Sequence, residues 1–245
     1  MENGRYLLVA MRDGEEAARS EYLDFLESSG LAESDLVHFP ITSLTVDLPD
    51  LSQFDGVFVG GSPFNVTDWE HSDLQKHSHD LLFEILNSPV PALLTCYGTS
   101  YTAFTMGGQV NREFSEEAGT TEVQLTAEAA SDPIASTLPD TFFALTGHKE
   151  CVVQLPDEAV LLATGPSCPH QMYRIHYRNW VTQFHPEMNA DGLLRRMNFY
   201  ADKGYFDPAE LDSIESEIRS VDLTAAGQVI TGFMNYCSFV KSKNS

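Results

Sequence analysis

The first third of the chain alternates between apolar runs and amphipathic stretches, which predicts strands separated by helices. Residues 6–11, 36–39 and 55–59 are short apolar runs with the length of buried strands. Residues 15–26 carry apolar side chains at helical spacing. Strands that alternate with helices indicate a doubly wound, mostly parallel sheet with helices on both faces, and functional sites in such sheets lie at the carboxyl ends of the strands.

The pattern changes in the second half of the chain. Short strand-like runs separated by Pro, Gly and Asp predict antiparallel strands added to the parallel core, at residues 122–126, 142–145, 152–154, 160–163 and 171–175. From residue 190 onward, apolar residues at helical spacing predict a helical tail. Because no break in composition separates these parts, we expect one domain over residues 1–245, with a core at 1–189 and a helical C-terminal extension at 190–245.

Net charge limits the partners of the chain. The sequence has 14 basic and 36 acidic side chains, a formal charge of −22. Phosphate backbones and anionic membrane surfaces repel such a chain, so nucleic acid and membranes are not expected partners. No apolar run approaches the ~20 residues that cross a bilayer, and the N-terminus lacks signal-peptide features, so a cytoplasmic location is expected. The acidity is explained by solubility, while a basic partner surface stays open.

The strongest candidate for chemistry is Cys96. It directly follows an apolar run at Ala92–Thr95 and precedes a helical pattern that contains Tyr101 and Phe104. A strand that turns into a helix around a cysteine is the layout of a nucleophile elbow. The helix N-terminus favours thiolate over thiol. The alternative is a structural cysteine, since free cysteine is among the most buried residue types.

Two other segments support a nucleophilic role for Cys96. A strand-like run at residues 180–187 ends in Gln183-Phe184-His185-Pro186-Glu187. Side chains two apart in such an extended chain point to the same side, so Glu187 can orient the His185 imidazole as a Cys–His pair requires. Gly60-Gly61 follows a predicted strand and can face Cys96 across the sheet edge. Without side chains, this loop lets a backbone N–H approach a substrate closely, although an ordinary turn is the alternative.

These three segments, which follow one another along the chain as Gly60-Gly61, Cys96 and Gln183–Glu187, resemble the class I (triad-type) glutamine amidotransferases, in particular their GMP-synthase-like branch. The resemblance implies a flavodoxin-like fold with Cys96 as nucleophile, His185 as base and Glu187 as the orienting carboxylate. It also implies an oxyanion hole formed by the N–H groups of Gly61 and Tyr97.

The resemblance further implies that glutamine is bound by residues around Cys96, namely Gly60, Ser100, His148 and Gln183. The family usually places a glutamine four residues after the nucleophile, where this chain has the shorter Ser100. A γ-glutamyl compound other than glutamine therefore stays open as the substrate. His148 can also be read as a turn histidine. Two residues before the nucleophile, Leu94 replaces a glycine that is frequent in the family.

The function implied is hydrolysis of the γ-amide of glutamine through a γ-glutamyl thioester, with release of ammonia and without a cofactor. Because only a short stretch follows Glu187, we expect the ammonia acceptor to lie on a separate synthetase partner. The alternatives are a free-standing γ-glutamyl hydrolase or peptidase, and a non-catalytic binding or regulatory relative.

Metal binding is not expected from the sequence pattern. The four cysteines have no CxxC spacing, and Cys151 and Cys168 are interpreted as packing residues. His77 and His79 lie two apart, which places them on different faces of a helix. We therefore interpret the histidine-rich segment as a solvated face.

Overall fold

The computed structural model describes residues 4–200 and 204–244. The strands are β1 (Tyr6–Ala10), β2 (Leu36–Pro40), β3 (Gly56–Val59), β4 (Ala92–Thr95), β5 (Gln109–Asn111), β6 (Glu116–Leu125), β7 (Thr141–His148), β8 (Cys151–Gln154), β9 (Val160–Thr164), β10 (Met172–Ile175) and β11 (Asn179–Thr182). Nine of these strands form one sheet in the order β2-β1-β3-β4-β11-β10-β9-β6-β7, and β5 pairs with β8 in a small second sheet. The helices are α1 (Glu15–Ser29), α2 (Asp73–Asn87), α3 (Tyr97–Thr105), α4 (Ala190–Phe199), α5 (Leu211–Ile218) and α6 (Thr224–Asn244).

The sheet has a parallel half and an antiparallel half. β2, β1, β3, β4 and β11 pair in parallel, whereas β10, β9, β6 and β7 continue the same sheet by antiparallel pairing. The predicted fold, a mostly parallel doubly wound core with antiparallel additions, is confirmed.

Alternation within each strand explains why both faces are covered. In β1, Tyr6 and Leu8 pack on the face covered by α1 and α6, and Leu7 and Val9 pack on the face covered by α2 and α3. A strand buried on both sides has to be apolar throughout, which is the pattern that the sequence shows.

A third apolar cluster lies over one end of the antiparallel half. It joins residues of β6 and β7 to α4, α5 and the segment between them, and its buried members include Leu145, Met188, Met197 and Phe206. This cluster covers the sheet edge where the candidate site lies. None of the helices in the described part of the chain combines the length and the apolar character needed to cross a bilayer.

Candidate active site

Cys96 lies at a strained turn between β4 and α3. Its backbone has φ 51° and ψ −96°, a region that side-chain-bearing residues rarely adopt. The Cys96 N–H donates to the Thr182 carbonyl of β11 at 2.7 Å, which fixes the turn to the sheet. A Cβ on Gly98 would lie 2.4 Å from the Cβ of Leu94. The large Leu94 is therefore tolerated because Gly98 leaves space for it, and the predicted strand–turn–helix is confirmed.

The Cys96 thiol is nearly buried and protonated at rest. Sγ lies 4.0 Å from the Gly147 carbonyl oxygen, the acceptor of its hydrogen bond. Burial raises the pKa of Cys96 to about 12, against the opposing effect of the Arg12 charge. The helix N-terminus favours the thiolate, but desolvation opposes it here and is the largest cause of the raised pKa of Cys96. Ionisation therefore needs a base.

His185 and Glu187 meet as expected, although the strand that carries them is shorter than predicted. β11 ends at Thr182, and the His185 N–H instead donates to the Leu145 carbonyl at 2.8 Å. Nδ1 of His185 lies 2.7 Å from Oε1 of Glu187. This contact directs Nε2 away from the carboxylate, and His185 and Cys96 line the same cavity. Burial lowers the pKa of His185, so the ring is neutral at rest and can accept a proton.

Arg196, which sequence reasoning missed, extends this pair into a buried charge network. Its Nη1 lies 3.1 Å from Oε1 of Glu187 and 3.1 Å from Nδ1 of His185, and its Nη2 lies 3.0 Å from Oδ2 of Asp24. Burial acts to raise the pKa of Glu187, but His185 and Arg196 outweigh it and lower the pKa to about 2. Burial raises the pKa of Asp24 to about 6, against the effect of Arg196.

Gly60-Gly61 packs against a second buried ion pair. Nε and Nη2 of Arg12 lie 2.8 and 2.6 Å from Oε1 of Glu21, and the same oxygen accepts the Gly61 N–H at 3.1 Å. A Cβ on Gly60 would lie 2.2 Å from Oε2 of Glu21, and one on Gly61 would lie 2.6 Å from Nη2 of Arg12. The glycines are therefore needed to accommodate this pair. The expected role of Gly61 as an oxyanion donor is not met in this structure, because its N–H is already bonded.

The sequence does contain a signal for the missed acidic residues. Glu21 and Asp24 lie on the face of α1 that also buries Ala17, Ala18 and Phe25. Charged residues within an apolar helical stripe are expected to be paired when buried. That signal identifies Glu21 and Asp24 but not their arginine partners, because Arg196 lies far away in the chain.

Of the residues predicted to bind substrate, Ser100, His148 and Gln183 line a cavity of about 20 Å³ together with Cys96, whereas Gly60 lies against Glu21. A second cavity, of about 50 Å³, adjoins Cys96 and His185. Ser100 is buried, and Glu150 lines the same small cavity. The Glu150 carboxylate accepts the N–H groups of residues 66 and 67, each at 3.0 Å.

His148 is not a turn residue but the last residue of β7, and it is buried. It lines the smaller cavity, but both of its ring nitrogens are engaged with the protein. Nδ1 lies 2.9 Å from the Glu150 carbonyl and Nε2 lies 2.8 Å from Oε2 of Glu116. Neither nitrogen is therefore free to contact a substrate. A further correction concerns His79, whose Nε2 lies 2.5 Å from the Tyr97 hydroxyl, so this histidine is a structural partner rather than part of a solvated face.

The fold and the side chains around Cys96 define a class of protein: α/β proteins in which a cysteine at a nucleophile elbow shares a cavity with a histidine–carboxylate pair. The chain belongs to the glutamine amidotransferase class-I family, whose profile matches residues 24–195. The family resemblance read from the motifs is thus confirmed.

Similar proteins agree with this membership. The chain is 30% identical over 155 residues to a glutamine-hydrolysing GMP synthase of Christiangramia forsetii, a match that covers 61% of this chain and 28% of that protein. It is 28% identical over 168 residues to the GMP synthase of Aliivibrio salmonicida, covering 66% and 31%. The chain spans less than a third of the length of these curated relatives.

Solved structures show the same fold. A glutamine amidotransferase of Thermotoga maritima superposes with a TM-score of 0.72 at 21% identity, covering 94% of this chain and 98% of that one. A glutamine amidotransferase of Methylobacillus flagellatus gives a TM-score of 0.69 at 18% identity, covering 95% and 94%.

Proposed function

We propose that the chain is a glutaminase that hydrolyses the γ-amide of glutamine and supplies ammonia to a synthetase on a separate chain. The observation that carries this proposal is the placement of Cys96 at a strained elbow, on a cavity that it shares with His185. The His185–Glu187 contact of 2.7 Å supplies the orientation that a base needs.

The resting protonation states support this chemistry. Cys96 starts as a thiol, His185 as a neutral imidazole and Glu187 as a carboxylate. His185 takes the thiol proton as sulfur attacks the amide carbon, and Glu187 stabilises the imidazolium that forms. The imidazolium then gives its proton to the leaving ammonia. Water, activated by the neutral ring, hydrolyses the thioester and releases glutamate.

Dependence on a partner is favoured by two features of the site. The Gly61 N–H donates to Glu21, so of the two expected oxyanion donors only the Tyr97 N–H is left for a substrate. Cavities of about 50 and 20 Å³ have room for a few water molecules but not for glutamine. Turnover therefore requires the loop at Gly61 to turn. It also requires the side chains that line both cavities, among them Tyr205, to move apart. Binding of a synthetase is the event that we propose to drive both changes.

The main alternative is a free-standing γ-glutamyl hydrolase, for which Ser100 in place of a longer side chain was expected to leave a roomy pocket. Ser100 instead shares with Glu150 the lining of a cavity of only about 20 Å³. This arrangement favours glutamine over larger γ-glutamyl compounds. A non-catalytic relative would need neither the strained Cys96 backbone nor the buried His185–Glu187 pair.

The test combines turnover with covalent trapping. The purified chain is given glutamine and a γ-glutamyl dipeptide, and glutamate release is measured beside a Cys96→Ala control. In parallel, an electrophilic diazo-ketone analogue of glutamine is added and the labelled peptide is identified by mass spectrometry. We expect slow, Cys96-dependent release from glutamine and a label on Cys96. Faster turnover of the dipeptide, or a label on another cysteine, would reverse the proposal.

A further inference from the structure

Three potential metal ligands converge behind the wall of the Cys96 cavity. Glu116 begins β6, His148 ends β7, and Cys168 lies in the connection between β9 and β10. One ligand atom from each of these three residues lies within 4.8 Å of the others, and all three side chains are buried. Cys151, which begins β8, is also buried but is not one of these three residues.

We propose that Cys168, His148 and Glu116 bind zinc or a similar divalent transition metal. A thiolate, an imidazole and a carboxylate are all ligand types that Zn²⁺ takes in proteins.

The surroundings of the ligands match those of a metal site. Nδ1 of His148 lies 2.9 Å from the Glu150 carbonyl, which leaves Nε2 directed into the cluster. Metal-binding histidines commonly donate their other ring N–H to a carbonyl in this way. The Glu116 carboxylate accepts hydrogen bonds from Thr121 at 2.7 Å and Thr146 at 3.0 Å, and ligating carboxylates are held in the same manner.

On binding, the metal ion would take the place of the present contact between Nε2 of His148 and Oε2 of Glu116, which lie 2.8 Å apart. The thiol proton of Cys168 and the proton shared in that contact would pass to the solvent.

The site would act on structure rather than on chemistry. His148 directly follows Gly147, whose carbonyl accepts the Cys96 thiol. A metal ion on His148 and Cys168 therefore holds the end of β7 against the connection between β9 and β10, and with it one wall of the cavity around Cys96.

The experiment measures metal binding by the full chain. Protein purified under reducing conditions is stripped with a chelator and titrated with Zn²⁺ and, separately, Co²⁺. We expect one equivalent of each, with a thiolate-to-cobalt charge-transfer band and the visible spectrum of tetrahedral Co²⁺. Cys168→Ser should lower the band and weaken binding at least tenfold. The matched control is Cys237→Ser, which replaces a buried cysteine of α6 that packs against Gly56 and should bind like the wild type.

Two results would overturn the proposal. One is wild-type protein, shown to be folded by circular dichroism, that binds less than a tenth of an equivalent of either metal. The other is Co²⁺ binding without a thiolate band, which would place the ion elsewhere, for example at the surface histidines. Both results come from wild-type protein, so the test does not depend on the folding of a variant. Neither depends on glutaminase activity.

Discussion

Replacement of Gly60 by alanine tests whether the buried Glu21–Arg12 pair fixes the loop beside Cys96. The added Cβ would lie 2.2 Å from Oε2 and 2.3 Å from Cδ of Glu21. Glu21 has little freedom to move, because its Oε1 accepts Nε of Arg12 at 2.8 Å and the Gly61 N–H at 3.1 Å. The φ of Gly60 does not lie in the left-handed region, so the cost is steric and does not arise from backbone strain.

The expected loss of stability follows from which group moves. If the backbone shifts and the ion pair survives, overpacking costs about 1–3 kcal/mol. If the Glu21 carboxylate is pushed away from Arg12, a buried pair is broken at a cost of about 3–5 kcal/mol. In a chain of this size, each kcal/mol lowers the Tm by about 2–4 °C. We therefore expect Gly60→Ala to lose about 3 kcal/mol and about 6–12 °C.

The assay is urea unfolding followed by circular dichroism, with Tm measured in parallel. The matched control is Gly227→Ala within α6, where the nearest atom to the added Cβ is the Pro186 carbonyl oxygen at 4.0 Å. This control should gain up to about 1 kcal/mol from helix propensity. A Gly60→Ala protein within about 0.5 kcal/mol of the wild type, in the range of neutral surface changes, would refute the reasoning, because Glu21 would then be free to leave the loop.

The remaining predictions concern the triad and its supporting charges. Glu187→Gln should lower kcat more than it changes KM in the glutamine assay, because the imidazolium loses its carboxylate; equal effects on both would contradict the assigned role. Iodoacetamide should label Cys96 ahead of the other cysteines, since it is 9% exposed and they are at most 1% exposed; mass spectrometry would identify the labelled site. Arg196→Met should destabilise the protein by about 3–5 kcal/mol in urea unfolding, because Asp24 and Glu187 lose a buried partner, whereas Arg219→Met at an exposed ion pair should stay close to the wild type. The folded-state pKa of Glu187 is about 2, below its unfolded value. The stability that Glu187 contributes is therefore present above about pH 4.5 and is lost as the pH falls from there towards about 2, by on the order of 3 kcal/mol. Glu187→Gln should show a shallower loss of stability over that range.

The fold could be predicted from the sequence because the spacing of apolar residues shows which positions are buried. β4 begins and ends where the apolar run Ala92–Thr95 predicted, and α3 follows Cys96 directly. A strand covered on both faces has no polar positions to obscure its bounds. The run that ends at Glu187 misled for the same reason. Residues 183–187 are buried but not in a strand, because their backbone hydrogen bonds go to β7 and to Gln171 instead of a continuous ladder.

The electrostatics of the site could not be read from local patterns. The environment of Cys96 depends on Arg12 and Glu21, which lie far before it in the chain, and on Arg196, which lies far after it. The sign of its pKa shift depends on how completely these elements exclude water, and neighbouring residues in the sequence do not report that. For the same reason the search for CxxC spacing missed the cluster of Glu116, His148 and Cys168, because its three members come from separate segments of the chain.

Arg196 connects the two parts of the site that the proposed reaction needs, the His185–Glu187 pair and the loop at Gly61. Arg196 lies 3.1 Å from Glu187, which orients His185, and 3.8 Å from Glu21, which holds the Gly61 N–H. Arg196 belongs to α4 and Glu21 to α1, so a movement that separates these helices weakens the contact to Glu21, whereas Glu187 lies just before α4 and not on α1. α4 also contributes to the apolar cluster that covers the Cys96 cavity. A partner that shifts α4 would therefore open the cavity and loosen the hold on the Gly61 amide in one motion. The orientation of His185 relies on the same arginine. Such a partner must therefore keep the Arg196–Glu187 contact while it breaks the Arg196–Glu21 contact, which is the longer of the two.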